Sequence, residues 1–183
     1  EWVGQSDDGQ VQRVDVKRRE VETLFGTIHK ASVLNVIPPQ RAGIITERAG
    51  VADASGWVPV HADGFESRQV KDIYVLGDAT IAAPMPKSGF VANVQGRMAA
   101  GVIAADLTGQ PRPEPTYANT CYSLVAPGYG ISVSGLYEAK DDKLVELPGL
   151  GTSPLDADAA YRAQEASNGA GWYESISTDI WDR

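Results

Sequence analysis

The stretch DIYVLGDA, Asp72–Ala79, carries a short apolar run directly into Gly77-Asp78. The loop Pro84-Met85-Pro86-Lys87-Ser88 follows. From Gly89 to about Thr108, the apolar residues Val91, Val94, Met98 and Val102 recur at three- and four-residue spacing, which predicts a long helix. Ala92, Gly96, Ala99, Ala100 and Gly101 keep parts of that helix slim enough to lie close against a sheet or a ligand, and Gly109 supplies a left-handed stop. A strand over Ile73–Leu76, a Gly-Asp turn and a helix, in that order, predict α/β architecture. At the end of a parallel strand, a carboxylate stands over the crevice where open sheets bind ligands. Asp78 could accept a hydrogen bond from a sugar-like hydroxyl, and Gly77 would allow close approach. The helix start would present free N–H groups and partial positive charge to an anion, with Lys87 beside it. A lone Gly-Asp is otherwise an ordinary turn. The surrounding strand, loop and helix favour the ligand reading here.

Upstream, Val11–Asp15 alternates apolar and polar as a half-buried strand does. Val21–Phe25 and Thr27–Ala31 flank Gly26 as a hairpin. Val33–Ile37 reads as a buried strand halted by Pro38-Pro39. Ile44–Ala49 fits a short helix stopped by Gly50. Downstream, Pro111, Pro113 and Pro115 form a stiff linker and a domain boundary. Beyond it Asn119–Val125, Ile131–Tyr137 and Lys143–Leu147 read as an antiparallel meander, turning at Pro127-Gly128 and Asp141-Asp142. Trp172, Ile176 and Ile180 have helical spacing, which Gly169 and Gly171 would weaken or bend. The fold class is therefore α/β, turning to α+β in the C-terminal part.

Several functions are excluded on composition. With 16 Lys and Arg against 24 Asp and Glu, the net charge of -8 disfavours nucleic-acid binding and suits either plain solubility or a partner with a basic face. No apolar run approaches the roughly 20 residues of a membrane-spanning helix. His29 and His61 lack metal-ligand spacing and read as surface or strand residues, so no metal site is expected. There is no G-x-G-x-x-G between a strand and a helix; Gly128-Tyr129-Gly130 is a turn. A complete dinucleotide site is therefore not encoded in these residues. The chain opens Glu1-Trp2-Val3 without methionine, cap or turn, which reads as a piece of a longer polypeptide. Cys121 is the single cysteine. By residue type alone, a lone Cys in an apolar strand is inert core. The alternative is thiol–disulfide chemistry with a cysteine outside this segment.

Three stretches carry a more specific signal: IPPQRAG (Ile37–Gly43), GDATIAAPMPKSGFVANVQGRMAA (Gly77–Ala100) and YANTCYSLVAPGYGISV (Tyr117–Val133). Together with the closing GWYESI (Gly171–Ile176), and in this collinear order, they resemble the flavoprotein subunit of flavocytochrome c sulfide dehydrogenase. The resemblance implies a partial FAD/NAD(P)-binding, disulfide-reductase-like fold. Residues 1–32 would end an NAD-like domain, 33–110 would form the returning half of the FAD domain, and 111–183 would form the C-terminal domain with an antiparallel sheet and a helix. It implies FAD as cofactor, held in part by Gly77, Asp78, Pro86, Lys87, Ser88 and Trp172. Cys121 would be one half of a redox cystine beside the flavin, with its partner in the missing N-terminal half. The implied reaction is oxidation of sulfide, with electrons passing to a c-type cytochrome subunit in the periplasm. A sulfide:quinone reductase-like enzyme and a non-catalytic assembly module are the alternatives. The polar ending Ser177–Arg183 disfavours the first of these, which would use a membrane-facing tail.

Overall fold

The computed structural model describes residues 2–182, so Glu1 and Arg183 lie outside it. The chain divides into two compact units, Glu1–Gln40 and Arg41–Arg183.

In the first unit, β1 (Val11–Asp15), β2 (Glu20–Thr23) and β3 (Ile28–Lys30) form an antiparallel sheet in sequence order. The β2–β3 turn passes through Gly26 at φ +89°. The Asp8 carboxylate anchors it, accepting from Thr23 Oγ1 at 2.6 Å and from the Phe25 N–H at 2.9 Å. The alternation in β1 does not give a half-buried face: its first four residues are exposed and only Asp15 is partly covered. The strand expected over Val33–Ile37 does not form, and Val33 and Ile37 are 76% and 88% exposed. An apolar run becomes a buried strand only when neighbours bond its backbone on both sides, and among the described residues nothing pairs with it.

The second unit begins with α1 (Ile44–Arg48), followed by Gly50 at φ +69°. A short parallel pair, β4 (Val58–Pro59) and β5 (Thr80–Ile81), comes next. Then come the Pro84–Ser88 loop and α2 (Gly89–Thr108), with Gly109 left-handed at its end. Val58, Phe65, Met85 and Val91 share one core with Tyr117 and Tyr137 from the far side of the proline-rich stretch. Phe65 meets Tyr117 edge-on at 5.4 Å, and the Tyr117 hydroxyl donates to the Ala62 carbonyl at 2.6 Å. Contacts thus run across residues 110 and 111.

Ile73–Leu76 is not the expected strand. Only Tyr74 makes a bridge, to Glu66, and the neighbouring bonds run Ser67 N–H to Ile73 O and Val75 N–H to Phe65 O. The parallel strand of this region is instead Thr80–Ile81, beyond the Gly-Asp turn.

The meander forms as read: β6 (Thr116–Ala126), β7 (Tyr129–Lys140) and β8 (Lys143–Leu147) are antiparallel in sequence order. Cys121 lies opposite Val133, and Asn119 opposite Gly135. α3 (Ala159–Trp181) packs on this sheet and runs straight through Gly169 and Gly171. Gly169 has a packing reason, since a Cβ there would lie 3.2 Å from that of Tyr122. Gly130 is tighter still: a Cβ would come within 2.5 Å of the Ala166 nitrogen. The buried Glu165 carboxylate fastens the helix, accepting from Ser132 Oγ at 2.6 Å and Ser153 Oγ at 2.7 Å, with Arg162 beside it at 3.4 Å.

Candidate cofactor site

The candidate site grows from the turn between Tyr74 and β5. Gly77 opens a one-turn 3-10 helix, Gly77–Ala79, at φ +74°. A Cβ at Gly77 would sit 3.3 Å from that of Ala92 on α2 and would also strain the backbone, so glycine is required twice over. The Gly77 N–H donates to Gln95 Oε1 at 2.6 Å, and Thr80 Oγ1 donates to the Gly77 carbonyl at 2.8 Å. These bonds fix the turn, and Asp78 is left exposed at its tip.

Lys87 reaches back over that turn. Its ammonium donates to the Asp78 and Thr80 carbonyls at 2.5 and 2.8 Å and lies 3.9 Å from the Trp57 ring centroid. Loss of water around the ammonium pulls its pKa below the ordinary lysine value, and the charge of Asp78 opposes that pull. An ammonium has three N–H donors, so one remains to meet a ligand. A cavity of about 200 Å³ opens here, lined by Trp57, Gly77, Met85, Pro86, Lys87 and Gln95 among others.

The start of α2 organises a second cluster. Ser88 caps the helix: its Oγ accepts from the Val91 N–H at 3.1 Å and donates to Asn119 Oδ1 at 2.8 Å. Asn119 is 1% exposed, and both ends of its amide lie 3.5 Å from Cys121 Sγ. Cys121 itself is half-buried, its thiol free. Trp172 of α3 stacks on Phe90 at 5.7 Å with a 17° interplanar angle. A Cβ on Gly89 would lie 3.9 Å from the Trp172 ring.

The residues picked from sequence therefore gather into two linked groups. Gly77, Pro86 and Lys87 line the cavity, with Asp78 on the adjoining turn. Ser88, Cys121 and Trp172 surround the helix start. Gln95, Asn119 and Trp57 join them unannounced. Two of these left a trace in the sequence: Gln95 is a polar residue four positions after Val91 on the packed face of α2, and Asn119 sits on the same side of β6 as buried Tyr117. His29 is exposed on β3. His61 pairs with Asp142 at 2.9 Å on the surface. Among the described residues no acidic, His or Cys cluster could hold a metal ion, and no helix is long and apolar enough to cross a membrane.

The fold, mixed α/β with an antiparallel C-terminal sheet and helix, resembles part of a solved enzyme. It superposes on the sulfide:quinone oxidoreductase from the hyperthermophilic bacterium Aquifex aeolicus with a TM-score of 0.51 at 16% identity, covering 94% of this chain and 44% of that one. The chain thus spans under half the length of that enzyme. Residues 113–181 match the family described as flavocytochrome c sulphide dehydrogenase, flavin-binding. The matched segment holds β6–β8 and α3, with Cys121 and Trp172.

Proposed function

We propose that this chain is the C-terminal part of an FAD-dependent sulfide dehydrogenase that oxidises sulfide through a cystine and passes the electrons to a c-type cytochrome. The observation that carries the reading is the Ser88–Asn119–Cys121 chain of contacts, which joins the start of α2 to a thiol inside the matched domain.

The residues present fit a flavin. The helix start offers free N–H groups, Lys87 retains a donor, and Gly77 leaves the backbone open to close approach. Gln95 adds a buried amide nitrogen with no partner among the described residues. This donor-rich set suits the carbonyl-bearing, electron-accepting edge of an isoalloxazine, whose negative charge rises on reduction. Gly77, Asp78, Pro86, Lys87, Ser88 and Trp172 would hold that part of FAD. A bound flavin would supply the acceptor for an electron pair.

Cys121 would do the sulfur chemistry. Hydrosulfide attacks a disulfide between Cys121 and a cysteine elsewhere in the protein. One sulfur keeps the new bond as a persulfide and the other leaves as a thiolate. Asn119 would steady Sγ, and Trp172 stacked on Phe90 would help to keep water away. A periplasmic setting goes with the same proposal.

In the whole protein, Cys121→Ser should abolish sulfide oxidation while flavin content stays at the wild-type level. Retained turnover would remove Cys121 from the mechanism. The fold likeness to a sulfide:quinone oxidoreductase favours a second reading in which the acceptor is a quinone. Assaying the reduced protein against a c-type cytochrome and a soluble quinone separates the two. Faster reduction of quinone would overturn the cytochrome assignment.

A further inference from the structure

Gln95 is 0% exposed, and it stands two turns into α2 where the helix crosses beneath the Gly-Asp turn. Its amide cannot be turned over. Oε1 accepts the Gly77 N–H at 2.6 Å, and the reverse orientation would set an NH2 against an N–H. Nε2 is therefore the end left over, and it has no acceptor among the described residues. A buried amide N–H without a partner is costly enough that native proteins rarely leave one. Gln95 also contributes to the floor of the cavity below Lys87, whose walls at Trp57, Ile81, Ala82 and Met85 are apolar. Among the polar side chains that line this space, Gln95 has its Nε2 unpaired among the described residues and Lys87 has one N–H left, while Thr80 Oγ1 donates to the Gly77 carbonyl. An occupant must bring acceptor atoms on a largely apolar body.

We propose that Gln95 is a cofactor-contacting residue: its Nε2 donates to an acceptor atom of the bound flavin while its Oε1 holds the turn that carries Asp78. The inference rests on the flavin reading above and adds a residue to it. One side chain would then couple the shape of the Gly-Asp turn to the presence of the cofactor. When flavin leaves, the same buried donor loses its partner.

Two variants of the whole flavoprotein test this. Gln95→Glu keeps an acceptor for the Gly77 N–H but, as a carboxylate, has no donor. Gln95→Met fills similar space and does neither. The readouts are flavin affinity, from fluorescence on titrating FAD into flavin-free protein, and the melting temperature of that flavin-free protein. Both variants should bind FAD about tenfold or more weakly than wild type, the scale of one lost buried hydrogen bond. Gln95→Met should melt below wild type when flavin-free, because the Gly77 N–H loses its acceptor. A Gln95→Glu protein that binds FAD like wild type while Gln95→Met does not would assign Gln95 to the turn alone and overturn the inference. So would wild-type affinity in Gln95→Met. If the wild-type protein takes up no flavin, the flavin reading fails and the inference with it. If wild type binds and both variants match it, the inference alone fails.

Discussion

Ser88 shows how much one side chain can connect. It caps α2, and through Asn119 it reaches Cys121. Ser88→Ala would leave the Val91 N–H without its cap and the buried Asn119 carbonyl without its donor. We expect a loss of about 1–2 kcal/mol of stability, read from urea denaturation of the whole protein. After reduction of the cystine, a faster reaction of Cys121 with an alkylating reagent should accompany it, because Asn119 would no longer be held in place. Unchanged stability would mean that water replaces both bonds. In the sequence, Gly77, Lys87 and Ser88 show only their local places, at a turn and just before a helix; the positive φ and the cap come from the structure. Gln95 and Asn119 show there only as polar residues on packed faces, because their partners lie 18 and 31 positions away along the chain. Only the fold brings those partners within reach.

At the scale of elements, the same contrast separates those that local residues define from those that need neighbours. α2 has a cap, an apolar face and a left-handed stop, so its limits follow from its own residues. The meander has alternating strands and two turns with positive φ, at Gly128 and at Asp141-Asp142. Val33–Ile37 and Ile73–Leu76 are apolar runs whose strand character depends on neighbours, and sequence alone does not supply neighbours. Glycine is a poor helix former, yet α3 continues through two of them, and Gly169 makes room there for Tyr122. Docking of α3 depends on Glu165. Burial pushes its carboxyl up, but the hydroxyls of Ser132 and Ser153 and the charge of Arg162 outweigh that and hold it below the ordinary range. Its contribution is present above the unfolded carboxylate pKa and is lost as pH falls through the lower folded value. We therefore expect the stability that Glu165→Gln removes, about 3 kcal/mol near neutral pH, to shrink as pH falls below about 4. A difference between wild type and variant that is constant with pH would contradict this. Gly130→Ala should also loosen α3, by about 1–3 kcal/mol, because its methyl meets the backbone of Ala166.

On the proposed reading, the whole molecule would supply one side of a cofactor site. The sequence carries no G-x-G-x-x-G loop to hold a pyrophosphate, and the chain covers 44% of the enzyme whose fold it resembles. This chain by itself should bind FAD far more weakly than the whole protein, measured by fluorescence titration of both. Equal affinity would mean that the Gly77–Ser88 region and the matched domain suffice for the cofactor.

The account stands on sulfide delivering electrons to a flavin held beside Cys121. The visible absorption of the whole protein, recorded without oxygen before and after addition of sulfide, tests that directly. The account predicts a flavin band that bleaches with wild-type protein and persists with Cys121→Ser. A wild-type flavin band that sulfide leaves untouched would contradict it.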